Sequence, residues 1–132
     1  MLNNTSKQQN KYFGRIGEDL ACDFLKGKGF VILTRNYQRK WGELDIVGFK
    51  DDMIHFFEVK STTFNFIGLS DTHRPEENVH GLKIKHIRRM IETYLNENSK
   101  SLNTPFSFHV LSVYINSDKK IGKIDWIRDV IL

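Results

Sequence analysis

The chain of 132 residues carries 20 Lys and Arg against 16 Asp and Glu, a formal net charge of +4 at pH 7. Its length suits one domain with a sizeable core, and 39% hydrophobic with 27% charged residues are typical of a globular rather than a disordered protein. No apolar run approaches the roughly 20 residues of a membrane-spanning helix, and the opening MLNNTSKQQNK lacks the apolar stretch of a signal peptide. We therefore expect a cytoplasmic protein of a single domain, residues 1–132, with no membrane partner.

The cysteine and histidine content excludes several kinds of site. The only cysteine, Cys22, rules out an internal disulfide and metal sites built from several cysteines. It follows Ala21 on a predicted helix face, where a small buried residue is expected rather than a nucleophile. The five histidines show no metal-ligand spacing. The basic charge balance permits nucleic-acid binding without establishing it.

The predicted elements alternate between helix and strand. Residues 1–9 are polar and aperiodic, and we expect them to be flexible. Apolar residues at helical spacing predict a first helix from about Lys11 to Lys26, with Gly27 and Gly29 as its end. Strands are predicted over 30–38, 41–49, 53–61, 106–115 and 121–126, a second helix over 79–98, and a closing helical turn over 126–132. The order α-β-β-β-α-β-β predicts an α/β fold, a mixed β-sheet flanked by α-helices.

Two connections stand out in this order. The link KDD at 50–52 is short enough to make the second and third strands an antiparallel pair. Residues 62–78 carry no clear period, and so long an irregular segment in a small domain is typical of a functional or mobile loop.

Charged residues interrupt the apolar second and third strands at Asp45, Glu58 and Lys60. Side chains alternate between the faces of a strand, so Glu58 and Lys60 share one face, and Glu43 and Asp45 share one on the neighbouring strand. If the hairpin register aligns these faces, the carboxylates and one ammonium group converge. Like charges held close raise each other's pKa. The patch therefore requires a positive partner, which is either Lys60 or a divalent cation.

A magnesium ion would suit this patch, since Mg²⁺ binds proteins through one or two carboxylates and keeps several waters. Asp45 and Glu58 would supply the oxygens, and the backbone carbonyl of Val59 could add a third. A bound ion activates water and stabilises charge on a phosphate. Lys60 would orient or deprotonate the attacking water, or neutralise the charge of the transition-state phosphorane. Together these groups predict phosphodiester hydrolysis. The alternative is a solvated sheet face with a cross-strand salt bridge worth under ~1 kcal/mol.

The spacing of these residues resembles a known motif. Asp45, followed thirteen residues later by Glu58-Val59-Lys60 on consecutive predicted strands, is similar to the PD-(D/E)xK nuclease superfamily. The chain resembles the YraN-like family of largely uncharacterised bacterial proteins more closely. That likeness runs through GRIGEDLACDFLKGKGF, LTRNYQRKWGELDIV, FFEVKS and, more weakly, PEENVHGLKIKHIRRMIETYL, so it covers residues 14–95. It implies a restriction-endonuclease-like fold.

The resemblance also implies roles for individual residues. Asp45, Glu58 and Lys60 fall on the nuclease motif, and Glu18 falls on the first-helix acid that completes the metal site in related archaeal Holliday junction resolvases. Glu43 falls on a family position with a less settled role, as do Arg35, Asn36 and Lys83, and we expect Glu43 to support the acids rather than bind metal directly. The implied activity is that of a Mg²⁺- or Mn²⁺-dependent nuclease on DNA, with branched or structured DNA as a candidate substrate. Whether two chains pair as a homodimer is left open.

Basic residues bracket the acids in the sequence. Any one of them reads most simply as a solvated charge, but as a set they predict a surface that follows a phosphate backbone. The predicted nucleic-acid-binding residues are Arg35, Asn36, Arg39, Lys40, Lys83, Lys85, Arg88 and Arg89.

Two other functions stay open at this point. One is a nucleic-acid-binding module with a vestigial nuclease site, and the other is a protein-interaction domain with an incidental basic surface. The first draws on two departures from the family pattern. Thr62 stands where an arginine is usual, and Ser107–His109 stands where Arg-Phe-Asp is frequent.

Overall fold

A computed structural model describes residues 2–64, 81–98, 100, 103–116 and 121–132. In this part of the chain one five-stranded sheet carries a helix on each face. The predicted element order and α/β class are confirmed, and the architecture is consistent with a restriction-endonuclease-like fold. The elements are α1 (Leu2–Gly27), β1 (Val31–Arg39), β2 (Gly42–Lys50), β3 (Met53–Phe64), α2 (Gly81–Glu97), β4 (Phe106–Asn116) and β5 (Ile121–Ile127).

The sheet is mixed and follows the chain order β1-β2-β3-β4-β5. Only the β3–β4 pair is parallel, and α2 lies in the connection between these two strands. β2 and β3 form the predicted antiparallel hairpin. Asp51 and Asp52 connect them with φ angles of 53° and 60°, which is the backbone of a tight hairpin turn. Of the predicted irregular segment, residues 62–64 extend β3, and 65–78 lie outside the described residues.

The core lies on both faces of the sheet. Phe56 and Phe57 are adjacent in β3, so their fully buried side chains point to opposite faces. Phe56 belongs to the cluster under α2, with Met90, while Phe57 belongs to the cluster under α1, with Leu25. The single cysteine, Cys22, is 3% exposed in the α1 cluster, which confirms its prediction as a small buried residue. Within the described part of the chain, neither helix is both long and apolar enough to cross a membrane.

The ends of the chain correct two predictions. Helix α1 begins at Leu2 rather than near Lys11. Lys and Gln at four of the positions 3–11 favour a helix, although Asn, Thr and Ser at the other five do not. The predicted helical turn over 126–132 is wrong. Trp126 and Ile127 end β5, and the N–H of Val130 donates to the carbonyl of Phe108 at 2.8 Å. Packing of the C-terminal residues against the α2 cluster replaces local helix formation.

Helix α1 ends at Gly27, as predicted, through a glycine cap. Gly29 adopts a φ of 95°, a left-handed conformation that side chains other than glycine rarely adopt. This lets the N–H of Phe30 donate to the carbonyl of Leu25 at 3.0 Å. The cap turns the chain from α1 directly into β1.

Helix α1 approaches β3 most closely at Gly17. A Cβ atom added there would lie 1.8 Å from Oγ and 2.9 Å from Cβ of Ser61. Only glycine permits this contact, so the pair Gly17 and Ser61 sets how near the helix lies to the sheet.

We predict that Gly17→Ala lowers the free energy of unfolding by about 2–3 kcal/mol, because the added methyl group overlaps the Ser61 side chain. Gly14→Ala is the matched control: a Cβ atom added at Gly14 would have nothing within 4 Å, and alanine should stabilise the helix by up to ~1 kcal/mol. Urea denaturation monitored by circular dichroism measures both. Equal stability of the two variants would contradict this account of the contact.

A histidine pair, which no sequence pattern indicated, lies on the α1 side of the sheet. The N–H of Asp129 donates to Nδ1 of His109 at 3.1 Å, so the ring proton of His109 is on Nε2. That nitrogen lies 2.9 Å from Nδ1 of His55 and donates to it. His109 is 3% exposed and stacks on His55, with 5.2 Å between ring centroids. Burial, and secondarily the charge of His55, lower the pKa of His109 to about 4.

The lowered pKa of His109 predicts acid sensitivity. The unfolded chain binds this proton near pH 6.5 and the folded protein only near pH 4, so stability is lost as pH falls through that window. We expect the loss between pH 7 and 4.5 to be about 2.5 kcal/mol smaller in His109→Asn than in wild type. Groups that do not contact His109 titrate in both proteins and cancel in this difference, whereas His55, 2.9 Å away, is part of the effect that is measured. Denaturation at each pH measures the free energy of unfolding, with the exposed His86→Asn as control. If the free energies of wild type and His109→Asn fell in parallel with pH, the prediction would be refuted.

Candidate active site

Strands β2 and β3 separate at Asp45. Their pairing runs from Lys50↔Met53 to Ile46↔Phe57, and one further step would set Asp45 opposite Glu58. Instead, Oδ2 of Asp45 accepts a hydrogen bond from the N–H of Val59 at 2.7 Å. A carboxylate therefore takes the place of a strand carbonyl, and the sheet opens beside it. Leu44 and Ile46, on either side of Asp45, lie in the clusters on opposite faces of the sheet, so regular alternation breaks at Asp45. Asp45 and Glu58 nevertheless line the same two clefts.

Helix α1 contributes Glu18 to this opening. Because Gly17 contacts Ser61 of β3, the next residue of the helix lies beside the acids of the sheet. The Glu18 side chain accepts a hydrogen bond from Asn36, and its Oε1 lies 3.9 Å from Nη2 of Arg35. Burial raises the pKa of Glu18, Arg35 opposes this, and nearby Glu43 adds to it.

Asn36 is the unusual residue of β1. Its φ of 53° lies in the left-handed region, which asparagine tolerates better than most residues. Pairs on either side, Arg35↔Ile46 and Tyr37↔Leu44, place it level with Asp45 of the neighbouring strand. Asn36 therefore lies beside the acids, where its amide lowers the pKa of Glu18.

Glu58 holds two lysines. Its Oε1 lies 2.5 Å from Nζ of Lys83 and 3.4 Å from Nζ of Lys60. Lys60 was predicted at this site from strand alternation. Lys83 was predicted as part of the nucleic-acid surface and as a family position with a less settled role, and α2 places it inside the cleft. Burial lowers the pKa of Lys60, as does Lys83, while Glu58 opposes both.

Asp45 bears the largest electrostatic cost of the group. Burial raises its pKa to about 7, the Val59 N–H works in the opposite direction, and the charges of Glu18, Glu43 and Glu58 raise it further. Glu43 itself is exposed and accepts a hydrogen bond from the Gln38 amide at 3.2 Å. The acids are thus held closer together than their own charges favour.

Two clefts reach the acids from opposite sides. One, of about 350 Å³, lies towards α1 and includes Glu18; the other, of about 300 Å³, lies towards α2 and includes Lys83 and His86. The residues that line both clefts are Glu43, Asp45, Glu58 and Lys60. A third and larger cleft of about 420 Å³ lies between α2 and the C-terminal residues, and of the predicted site residues only Arg88 lines it. The two smaller clefts, which contain the acids and lysines, are therefore the candidate active site.

The donor set fits a hard divalent cation. Oε1 of Glu18 and Oε2 of Glu58 are buried and have no hydrogen-bond partner, and carboxylate oxygens are the ligands that Mg²⁺ prefers. Val59 lines the same cleft. Among the residues that the structure describes, however, no three acidic, histidine or cysteine side chains form a ready-made cluster. Metal binding thus requires the side chains to rearrange, with Glu58 giving up part of its contact with the lysines.

The predicted nucleic-acid-binding residues divide into two groups. Arg35 donates to Asp19 at 2.7 Å, and Arg39 donates through Nε to Glu97 at 2.9 Å, so both have carboxylate partners within the protein. Arg89 stacks on the Trp41 ring, with 4.5 Å to the ring centroid. Every member of the set except Lys83 is exposed; Lys40 lies in the β1–β2 turn, and Lys85, Arg88 and Arg89 lie on α2.

Sequence reasoning missed the site role of Lys83, although a signal existed. Lys83 lies four residues before Ile87 and seven before Met90, so it occupies the buried stripe of α2 rather than its solvent face. A lysine at an apolar position of a helix indicates a buried partner. Its pKa is raised because, although burial lowers it, the bonds to Glu58 outweigh that effect.

Comparison with known proteins gives a consistent result. The family model described as "Uncharacterised protein family UPF0102" matches residues 17–127. A UPF0102 protein of Campylobacter lari is 38% identical over 114 residues, which is 86% of this chain and 94% of the relative. A UPF0102 protein of Dictyoglomus thermophilum is 34% identical over 117 residues (89% and 92%), and one of Clostridium perfringens is 35% identical over 123 residues (93% and 96%).

The raised pKa of Asp45 predicts that replacing this carboxyl by a neutral amide stabilises the folded protein at high pH. In the unfolded chain this carboxyl ionises near pH 3.8, and in the folded protein near 7, so its contribution to stability is lost as pH rises between these values. With a chelator present, we expect Asp45→Asn to raise the free energy of unfolding at pH 8.5 by about 2–4 kcal/mol and to change it little at pH 4. Denaturation with the exposed Asp23→Asn as control tests this. Destabilisation by Asp45→Asn at pH 8.5 would contradict it.

Proposed function

Since the chain belongs to the uncharacterised protein family UPF0102, the YraN-like family, we propose that it is a metal-dependent nuclease that hydrolyses phosphodiester bonds in DNA. The observation that carries the proposal is the meeting of Asp45, Glu58 and Lys60 with Glu18 around one opening of the sheet. Two buried carboxylate oxygens without hydrogen-bond partners support it. Structural ion pairs normally satisfy such oxygens.

Each site residue has a role in this proposal. Asp45 and Glu58 hold Mg²⁺ or Mn²⁺, assisted by Glu18 and by the carbonyl of Val59. When bound, the metal lowers the pKa of water and stabilises charge on the phosphate. Lys60 orients the attacking water, and its lowered pKa allows its neutral form to accept the proton from that water. Glu43 adds negative charge that favours a cation without itself being a ligand.

The DNA surface in this proposal is smaller than the basic composition indicates. Lys40, Lys85, Arg88 and Arg89 are exposed and available for phosphate contacts. Arg35 and Arg39 instead serve the fold through Asp19 and Glu97. A net charge of +4 supports binding to a polyanion. Branched or structured DNA is the candidate substrate, and two chains paired as a homodimer could act on both strands.

A binding module with an inactive nuclease site is the second candidate. It is favoured by the two lysines on Glu58, which neutralise that carboxylate without any metal. The family departure at His109 does not favour it, because His109 is buried with His55 on the α1 side and lines neither of the two clefts that reach the acids. A protein-interaction domain is the third candidate, in which the basic surface has no function of its own.

Cleavage assays test the proposal directly. Wild type, incubated with duplex, flap, single-stranded and four-way DNA in Mg²⁺ or Mn²⁺, should cut at least one substrate. Lys60→Ala and Asp45→Asn should reduce the rate by about 100-fold or more, because each removes a group that acts on the water or holds the metal. Lys26→Gln, an exposed change at the end of α1, serves as the control.

The remaining outcomes separate the candidates. Wild type that binds DNA with a strong salt dependence and cuts none of the panel would favour the binding module. If wild type showed no salt-dependent binding to DNA, the nuclease and the binding module would both be rejected, and the protein-interaction domain would remain.

A further inference from the structure

The contact between Lys83 and Glu58 is the shortest ion pair in the candidate site. Nζ of Lys83 lies 2.5 Å from Oε1 of Glu58, and Nζ of Lys60 lies 3.4 Å from that same oxygen. Two ammonium groups therefore share one oxygen, while Oε2 of Glu58 is buried and has no hydrogen-bond partner. Of the two cations, Lys83 is the nearer to Glu58, and it also feels the charge of Asp45.

The position of Lys83 shows that this is not a casual surface contact. Lys83 follows Gly81 at the start of α2 and lies on the buried stripe that continues through Ile87 and Met90. Those two residues anchor the helix in the core under the sheet. The Lys83 side chain is 33% exposed and lines the cleft that contains Asp45 and Glu58. The fold therefore delivers a cation to the acids from α2 while α1 delivers Glu18 from the other side.

We infer that Lys83 is the internal counter-cation of Glu58, that a divalent metal displaces it, and that its released ammonium group then binds the scissile phosphate. This inference rests on the proposed nuclease function. Nζ of Lys83 lies 2.5 Å from Oε1 of Glu58. A dication bound to either oxygen of this carboxylate would therefore repel the Lys83 ammonium group strongly. A phosphate that approaches the metal brings the negative oxygens that the displaced lysine requires.

Lys60 does not exchange in the same way. It is two residues from Glu58 on the same strand face, and its Nζ lies 3.4 Å from Oε1 of Glu58, against 2.5 Å for Lys83, so it has less contact with the carboxylate to lose. Lys83 comes from another element, and only its side chain ties it to Glu58. Because of this difference, we assign to Lys60 the role of orienting the attacking water and to Lys83 that of binding the scissile phosphate. It also explains why the described acids do not form a ready-made cluster: Glu58 is directed towards the lysines until a metal is present.

Metal titration of Lys83→Gln provides the readout that is independent of activity. Because the competing cation is gone, Lys83→Gln should bind Mn²⁺ alone about threefold to tenfold more tightly than wild type by calorimetry. Lys83→Arg keeps the charge and should bind Mn²⁺ as wild type does. Lys85→Gln, two residues along α2 and exposed, should leave the metal affinity unchanged. Circular dichroism and thermal unfolding confirm that each variant is folded.

Single-turnover cleavage at saturating Mn²⁺ provides the second readout. Lys83→Gln should cut DNA at least about tenfold more slowly than wild type while its DNA affinity changes little, because Lys83 contacts one phosphate rather than the length of the backbone. Lys85→Gln should show the reverse pattern, weaker DNA binding as the main effect. Unchanged or weaker Mn²⁺ binding by Lys83→Gln, or cleavage at the wild-type rate, would overturn the inference.

The outcomes also separate this inference from the function on which it rests. Wild type that binds Mn²⁺ and cuts DNA, with Lys83→Gln equal to it in both assays, rejects the role of Lys83 and leaves the nuclease proposal intact. Wild type that neither binds Mn²⁺ nor cuts any DNA rejects both.

Discussion

The arrangement depends on one hydrogen bond, from the N–H of Val59 to the half-buried carboxylate of Asp45. It ends the pairing of β2 and β3 by replacing a backbone acceptor with a side chain, and this opens the sheet where Glu58 and Lys60 emerge. A buried backbone N–H must find an acceptor, so Asp45 is part of the fold as well as of the site. The same burial raises the Asp45 pKa to about 7, which means that the fold holds an acid at an energetic cost.

The two helices complete the site from opposite faces. Gly17 allows α1 to approach Ser61 closely enough for Glu18 to join the acids, and the buried stripe of α2 carries Lys83 to Glu58. Both contacts depend on the hydrophobic core that holds the helices in place. The cluster with Phe57 packs against α1, and the cluster with Phe56 packs against α2. Because these clusters lie on the two faces of one strand, β3, the distance between the acid from α1 and the lysine from α2 is set by a single rigid element.

The balance of charge at the opening distinguishes a site from an ordinary salt-bridge network. Four acids, Glu18, Glu43, Asp45 and Glu58, meet three cations there among the described residues: Lys60, Lys83 and Arg35, the last 3.9 Å from Glu18. Buried oxygens of Glu18 and Glu58 have no hydrogen-bond partner. Networks that serve stability alone usually satisfy every buried polar atom. By contrast, Arg39 and Glu97 form a paired contact that needs nothing further and joins β1 to α2. The excess of acid at the cleft is therefore the feature that supports a bound cation.

Local sequence patterns were enough to predict the order and type of the seven described elements and the common strand face of Glu58 and Lys60. These follow from local alternation, helical periodicity and a two-aspartate hairpin turn, all of which act over a few residues. The sequence did not determine that Arg35 and Arg39 would be engaged by Asp19 and Glu97, that His55 and His109 would pair, or that Lys83 would reach Glu58. Nor did it predict that residues 128–132 would be extended rather than helical. Those outcomes depend on contacts between elements distant in sequence, where packing of the core, rather than local preference, decides which side chains meet.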